Sequence, residues 1–298
     1  MLENRLKTVI LLATLSGLLM ALGGFLGGTH GIIISFIISL VMNFVTYFYS
    51  DKMVLKLYKA QPLDAGTYSW IYSMVQELST QMAIPMPTLW LISTPMANAF
   101  ATGRNPQHAS VAVTSGILSL LNQRELRGVL AHELSHVKNR DILVSTIAAT
   151  LATAIGFIAN MMQNMFLWQS LSSNQADRQR QGNTLGTLFV ALIMPIAATL
   201  LQLAISRSRE YLADESGAYI CQDPLALASA LEKLQSHIPE AHLRNNDTLR
   251  ASTGSLFIVN PFLSQGIMAL FATHPPMNSR ISRLNKIYEK LTLHKRQP

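Results

Sequence analysis

Two histidines and a glutamate stand at a spacing that suits metal-assisted chemistry: His132, Glu133 and His136. On a helix with about 3.6 residues per turn, positions four apart share a face, so both imidazoles can point at one metal ion. The glutamate lies about 100° around the helix from the first histidine and can reach a water molecule beside that ion. These residues therefore predict a helical metal site with a carboxylate next to it.

The His-Glu-x-x-His pattern is typical of zinc peptidases, in which the histidines bind the metal and the glutamate is the general base. We therefore predict one zinc ion per chain and Glu133 as the catalytic base. The alternative is a helix that carries two solvated or buried histidines and no metal. Other divalent ions also accept imidazole and carboxylate ligands, so the pattern alone does not define the metal.

A catalytic zinc site normally has three protein ligands and one open position, so a third ligand must come from elsewhere. Among the sixteen carboxylates, Glu210 is the leading candidate, because it shares a helical face with Asp214 four residues later. Asp214 could then accept a hydrogen bond from a ligand histidine, although a solvated helix face explains the pair as well. Asp141 could orient a ligand histidine in the same way, or cap a helix, or mark a membrane boundary.

The composition indicates a membrane protein. Only 13% of the residues are charged and 49% are hydrophobic, whereas soluble domains carry about 25% charged residues. The net charge is +7, but the basic residues are scattered or flank apolar segments, so no nucleic-acid partner is expected. The single cysteine, Cys221, excludes an internal disulfide and suits a catalytic part on the reducing side of a membrane. We interpret it as a buried small apolar residue.

Residues 8–50 contain no Asp, Glu, Lys or Arg. That length accommodates two membrane crossings of about 20 residues each, and the glycine-rich residues 27–31 form a natural turn between them. We therefore predict spans near residues 8–27 and 32–49, within an N-terminal membrane hairpin at residues 1–50. A cleaved signal peptide is the alternative, but a second apolar span follows at once and the first run is longer than a usual signal core.

Two further features concern the packing and orientation of this hairpin. Gly-x-x-x-Gly pairs begin at Gly23 and Gly24. Such pairs let two helices approach closely, unless they only mark a helix end that runs into the turn. Basic residues flank the hairpin on both sides and are absent between the two spans. By the positive-inside rule, both of its ends lie in the cytoplasm.

A second uncharged stretch covers residues 142–176. Together with the apolar run at residues 185–205, in which Pro195 predicts a kink, it predicts a second hairpin at residues 142–205. The alternative is a pair of buried or interfacial helices that enter the bilayer without crossing it. Either arrangement returns the chain to the side of the membrane from which it left.

The remaining residues, 51–141 and 206–298, have the mixed composition of a folded domain in two parts. Predicted helices cover residues 68–81, 116–121, 125–139, 209–221 and 224–236, the last with Asp223 as N-cap, and predicted strands cover residues 88–93 and 110–114. A terminal helix carries four basic residues on its solvated face: Arg280, Arg283, Lys286 and Lys290. The predicted fold is a mainly α integral membrane protein, with four apolar helices and a cytoplasmic zincin-like α+β catalytic domain around a small β-sheet.

Several stretches together resemble the HtpX-type membrane zinc metalloproteases, which are related to the CAAX prenyl protease. They are His132–His136, the Glu210 and Asp214 pair, residues 98–103 and residues 273–280, in the family's order. The resemblance covers nearly the whole chain. It implies a multi-pass protease of the bacterial inner membrane whose active site faces the cytoplasm. The implied substrates are unfolded or damaged membrane proteins, which such a protease removes as quality control in the stress response.

The same resemblance implies roles for individual residues. Glu210 is implied as the third zinc ligand, with Asp214 beside it. His274 is implied as the first candidate for stabilising the oxyanion, and Arg280 as a second candidate on the substrate side. An edge strand that pairs with an extended substrate would begin with three residues: Asn98, Ala99 and Phe100.

Two other classes of function stay open. A noncatalytic membrane scaffold or chaperone would hold a structural metal, which requires a fourth protein ligand that the sequence does not offer at a suitable spacing. A transporter would need a polar path through the membrane, and the few polar residues of the apolar segments do not outline one. Cleavage preference and oligomeric state are not specified by the sequence.

Overall fold

The computed structural model describes residues 2–148, 150–151, 207–237 and 275–294. Its helices are α1 (Leu2–Leu57), α2 (Ser69–Met82), α3 (Ser115–Leu120), α4 (Gln123–Asn139), α5 (Arg207–Cys221), α6 (Pro224–Ser236) and α7 (Met277–His294). Its strands are β1 (Gln61–Pro62), β2 (Thr88–Ile92), β3 (Ala99–Gly103) and β4 (Ala109–Thr114). Residues 142–148 are helical as well. Most of the predicted second hairpin, with Pro195, and the predicted catalytic residue His274 lie outside the described residues.

The long helix α1 folds back on itself at the predicted turn. Gly27 and Gly28 have non-helical backbone angles, and Gly28 has a φ of 56°, a conformation that glycine adopts without steric cost. The two halves touch beside this turn, where a Cβ on Gly31 would overlap the carbonyl oxygen of Gly23. The predicted turn between two apolar helical segments is confirmed. Gly23 allows the close approach of the two halves, whereas Gly27 and Gly28 form the turn.

The second half of the hairpin has the properties of a membrane span. Gly27–Leu57 is, within the described residues, the helix that is long and apolar enough to cross a membrane. The first half contains a shorter apolar segment, Leu6–Ala21. Asn43 Nδ2 donates a hydrogen bond to Ser16 Oγ between the halves (2.9 Å), which pairs two polar groups in an apolar setting. Crossing of the bilayer by both halves stays a prediction.

The sheet has the strand order β1-β2-β4-β3. Strands β2 and β4 are parallel, β1 is antiparallel to β2, and β3 is antiparallel to β4. Strand β3 therefore lies at one end of the described sheet, as an edge strand must. The predicted strands at residues 88–93 and 110–114 are confirmed as β2 and β4. Strand β1 was not predicted, because two residues that include Pro62 show no alternating pattern.

Helix α4 carries the His132–His136 motif and begins at a well-defined cap. The Asn122 side chain accepts a hydrogen bond from Glu125 N, and the Glu125 carboxylate accepts one from Asn122 N, both at 3.0 Å. Glu125 also accepts hydrogen bonds from Ser229 Oγ (2.7 Å) and Lys233 Nζ (2.8 Å), which joins the start of α4 to α6. These contacts set the rotation of α4 about its axis and hence the direction of the motif.

Helix α4 packs against four other elements of the described fold: α2, α5, α6 and β3. Its apolar side chains are at most 1% exposed: Leu126, Val129, Leu130, Leu134 and Val137. Burial of each contributes about 1.5–3 kcal/mol, so the motif stands on a firmly packed helix. The predicted helices of this domain are confirmed to within two residues, and Asp223 caps α6 by accepting a hydrogen bond from Ala226 N (3.2 Å).

The terminal helix α7 is present as predicted, but one of its basic residues is not on the solvated face. Arg283, Lys286 and Lys290 are exposed, whereas Arg280 is 0% exposed. The prediction was wrong for Arg280 because this residue shares the inner face of α7 with the buried Leu284, one turn later. A charge at that position must have a partner inside the domain.

Candidate active site

The two histidines of α4 meet at one point on its surface. His132 is buried, and the side chain of His136 is 15% exposed. Their Nε2 atoms are 3.2 Å apart, and the rings stand nearly perpendicular, at 88°. The spacing of four residues therefore brings both imidazoles to the same point, as the sequence predicts.

Helix α5 brings the predicted third ligand to the same point. Glu210 Oε1 lies 3.5 Å from His136 Nε2, and Glu210 Oε2 lies 3.7 Å from His132 Nε2. One ligand atom from each of the three side chains falls within 4.8 Å of the others, a grouping that can hold a metal ion. Helix α5 comes this close to α4 because Gly217 has no side chain; a Cβ there would lie 3.0 Å from His132 N.

Each histidine has a carboxylate beside its second ring nitrogen, Nδ1. His132 Nδ1 lies 2.9 Å from Asp214 Oδ1, and His136 Nδ1 lies 3.4 Å from Asp141 Oδ2. A carboxylate at Nδ1 favours the tautomer that keeps its proton there and leaves Nε2 free to bind a metal. The structure thus places Asp214 and Asp141 where the sequence predicts them, with the shorter contact at Asp214.

The charges around this point fit a divalent cation. Four buried carboxylates surround the histidines: Glu133, Asp141, Glu210 and Asp214. Two arginines face them: Arg209 Nη1 lies 3.5 Å from Asp141 Oδ1, and Arg280 contacts Asp214. Within the described residues the carboxylates therefore exceed the guanidinium groups by two, which is the charge of one zinc ion. Two imidazoles and one carboxylate are also the donor set of many catalytic zinc sites.

The protonation of His136 follows from the same excess of negative charge. Burial lowers the pKa of His136, but Asp141, Glu210 and Glu133 together outweigh it and raise the pKa to about 9. Without a metal, the site therefore holds a proton on His136 at neutral pH. A zinc ion that binds there must displace this proton.

Glu133 is positioned by a strand as well as by its own helix. It is buried, and its Oε2 accepts a hydrogen bond from Ala101 N of β3 (3.0 Å). Burial raises the pKa of Glu133 above its ordinary value, although the neighbouring His132 and His136 oppose this shift. The carboxylate is thus fixed at one oxygen and has a higher proton affinity than in water.

Strand β3 approaches the site through its backbone. Thr114 N donates to Asn98 O (3.0 Å), so in the antiparallel ladder the amides of Ala99 and Ala101 point away from β4. The hydrogen bond from Ala101 to Glu133 agrees with that alternation. The Phe100 side chain points to the other face of the sheet from those of Ala99 and Ala101, and it packs there against Tyr58 with ring centroids 5.7 Å apart. Substrate binding by Asn98, Ala99 and Phe100 stays a prediction.

Comparison with known proteins identifies relatives of this chain. Residues 66–288, which include all of the site residues described above, match the family model of Peptidase family M48. The chain belongs to peptidase family M48. It is therefore a metalloprotease, as predicted, and the dependence of M48 metallopeptidases on zinc agrees with the His132, His136 and Glu210 group.

The M48 relatives extend over nearly the whole chain. A "Protease HtpX homolog" from Syntrophobacter fumaroxidans is 48% identical over 287 residues, which cover 95% of this chain and 99% of the relative. A protein of the same name from Aquifex aeolicus is 48% identical over 277 residues, which cover 93% of this chain and 90% of the relative. The predicted resemblance to HtpX-type proteases is thus confirmed. The crystal structure of S. mikatae Ste24p is similar with a TM-score of 0.47 and 16% identity, covering 95% of this chain and 66% of that one.

Two features of this M48 site were not predicted from sequence. The first is the hydrogen bond from Ala101 N to Glu133, which no side-chain pattern can indicate. The second is the position of Arg280, which donates hydrogen bonds to Asp214; its contact with a substrate stays a prediction. A sequence signal for the second did exist, since Arg280, Leu284 and Ile287 share one face of α7 and an arginine in an apolar stripe implies a buried partner.

Proposed function

We propose that this M48 protease is a membrane-bound endopeptidase that binds one zinc ion per chain through His132, His136 and Glu210. The observation that carries the proposal is the meeting of these three side chains within 4.8 Å beside a buried glutamate, Glu133. The three ligands leave a position open for water or substrate, as catalytic zinc sites require. When bound, the zinc ion would polarise the scissile carbonyl and activate a water molecule.

Glu133 supplies the proton transfer in this proposal. Because Ala101 N holds Oε2, the other carboxylate oxygen is available to take the proton from the attacking water. The raised pKa of Glu133 brings its proton affinity closer to neutral pH, which favours a general base. The same carboxyl group then delivers the proton to the departing amine. The family resemblance implies two candidates for stabilising the oxyanion. Arg280 donates its hydrogen bonds to Asp214, so we assign oxyanion stabilisation to His274.

The N-terminal hairpin supports a location at a membrane surface. About 20 residues separate the turn at Gly28 from Phe48, and a helix of that length spans about 30 Å, the thickness of the hydrocarbon layer. Beside Phe48, Arg104 of the loop after β3 lies 5.6 Å from the ring centroid. The loop after β3 would then lie at headgroup level, and Ala101, three residues before Arg104, would lie within about 10 Å of it.

From this placement we infer the orientation and the class of substrate. Lys7 before the hairpin and Lys52 and Lys56 after it favour a cytoplasmic position for both ends, in a bacterial inner membrane. An active site at this level would act on unfolded or damaged membrane proteins, as quality control in the stress response. The edge strand β3 would align an extended segment of such a substrate by β-augmentation.

The decisive experiment replaces Glu133 in the full-length protein reconstituted in lipid. Glu133→Gln should retain one zinc ion per chain and lose cleavage of an unfolded membrane polypeptide by about 10²–10⁴-fold, the usual contribution of a general base. Glu232→Gln, an exposed residue of α6, is the matched control and should cleave normally. Retained cleavage by Glu133→Gln would rule out its role as the base. Zinc bound with no cleavage by the wild-type protein would favour a scaffold with a structural metal.

A further inference from the structure

Arg280 is a buried charged residue that contacts Asp214, a carboxylate beside the predicted metal site. It is 0% exposed and lies on α7, an element that contributes no predicted zinc ligand. Its Nε donates to Asp214 Oδ2 (2.8 Å) and its Nη2 donates to Asp214 Oδ1 (2.7 Å). This bidentate geometry matches the planar fork of a guanidinium group to the two oxygens of one carboxylate. The carboxylate of Asp214 therefore has a single orientation.

That orientation is transmitted to the predicted ligand His132. Asp214 Oδ1, which accepts from Arg280, also lies 2.9 Å from His132 Nδ1. The Nδ1 side of the His132 ring thus faces Asp214, and its Nε2 faces Glu210 and His136. The remaining guanidinium nitrogen, Nη1, lies 4.0 Å from Glu210 Oε2, so one guanidinium group faces both the carboxylate beside His132 and the predicted ligand Glu210.

We propose that Arg280 is a positioning residue that organises the metal site through Asp214 and thereby sets its affinity for zinc. This rests on the proposed assignment of His132, His136 and Glu210 as zinc ligands. Arg280 is not one of the proposed zinc ligands. It compensates the charge of the buried Asp214 carboxylate, to which it donates two hydrogen bonds. It also couples the terminal helix α7 to a site whose ligands all lie on α4 and α5.

Loss of Arg280 would leave the carboxylate of Asp214 buried without its cation. The carboxylate would then turn toward other donors, and its contact with His132 would weaken. Groups that orient a metal-binding histidine through its other ring nitrogen typically contribute about 10–100-fold to metal affinity. We therefore expect a loss of that size in zinc affinity when Arg280 is replaced by Gln. Lysine retains the charge but lacks the planar guanidinium group, so Arg280→Lys should lose less zinc affinity than Arg280→Gln.

The test measures zinc affinity of the full-length protein by competition with a chromophoric chelator, independently of proteolysis. The matched control is Arg127→Gln, which removes another bidentate arginine pair, to Glu77 of α2 (2.8 and 2.9 Å), away from the metal site. We expect about 10–100-fold weaker zinc binding for Arg280→Gln, an intermediate loss for Arg280→Lys and less than twofold change for Arg127→Gln. In an Asp214→Asn background, Arg280→Gln should cost no more than about twofold further, because both residues act through one contact.

A spectroscopic readout separates positioning from general destabilisation. The visible absorption of the cobalt-substituted protein reports ligand geometry, and it should change in both Arg280 variants and stay constant in Arg127→Gln. The proposal is overturned if Arg280→Lys and Arg280→Gln bind zinc as tightly as wild type, or if Arg127→Gln weakens binding equally. It is also overturned if the losses from Asp214→Asn and Arg280→Gln add. Failure of the wild-type protein to bind zinc would instead refute the proposed function.

Discussion

The contact of α5 with α4 at Gly217 links helix packing to metal binding in a way that one methyl group can test. A Cβ on Gly217 would lie 3.0 Å from His132 N and 3.3 Å from Ala131 C. Both are backbone atoms of a buried helix, so no flexible side chain can move aside. Ordinary contact begins at 3.4 Å, so Gly217→Ala must separate the two helices by about 0.4 Å.

The consequence is larger for zinc affinity than for folding. Glu210 and Asp214 lie on the face of α5 that carries Gly217, and they move with it relative to His132. Metal–ligand distances tolerate deviations of only about 0.2 Å, so we expect zinc affinity to fall about tenfold. For folding, overpacking costs about 1–3 kcal/mol, and the better helix propensity of Ala offsets about 1 kcal/mol. The net loss of stability is therefore about 0–2 kcal/mol.

The assay compares Gly217→Ala with a glycine that is similarly crowded, but against a helix that carries no predicted zinc ligand. Gly128 of α4 is that control, because a Cβ there would lie 3.1 Å from Leu227 Cα of α6. Gly128→Ala should lower the thermal unfolding temperature of the metal-free protein to a similar extent and leave zinc affinity unchanged. Zinc binding by Gly217→Ala within twofold of wild type, or an equal loss in Gly128→Ala, would refute the reasoning.

Two further predictions concern protons. Neighbouring carboxylates outweigh the effect of burial and raise the pKa of His136 to about 9 in the metal-free site. Zinc must displace the proton that His136 then carries, so zinc affinity should rise about tenfold from pH 7 to pH 8. A chelator competition series in which affinity stays constant over that interval would contradict this. Burial raises the pKa of Cys221 to about 11, so at pH 8 iodoacetamide should alkylate it about 100-fold more slowly than a free thiol. Mass spectrometry of the intact protein measures this rate, and rapid alkylation would show that the thiol is accessible and ionised.

The parts of the fold that sequence predicts are those specified by short-range patterns. Helix α6 begins where Asp223 precedes Pro224, because an N-cap and a proline at the first position act within one turn. The hairpin turn at Gly27 and Gly28 follows equally from local glycine content between two apolar runs. The pair of histidines is specified by a spacing of four residues, and Glu210 by its relation to Asp214 on one helical face.

The parts that sequence does not predict depend on contacts between distant elements. Asp214 and Arg280 are 66 residues apart, and no local pattern relates them. The amide of Ala101 reaches Glu133 across 32 residues, through a backbone group that every residue type carries. Strand β1 fails for a different reason, since its two residues gain their strand geometry only from pairing with β2. Sequence periodicity identifies the buried face of a helix or strand. It does not identify which other element packs against that face, and these contacts depend on that pairing.

The order in which the site residues are synthesised limits when the enzyme can become active. The His132–His136 motif emerges from the ribosome first, Glu210 and Asp214 follow more than 70 residues later, and Arg280 comes another 66 residues after Asp214. An unfinished chain therefore lacks either the third ligand or the guanidinium group that orders Asp214. Premature termination would therefore produce fragments that lack part of the predicted site.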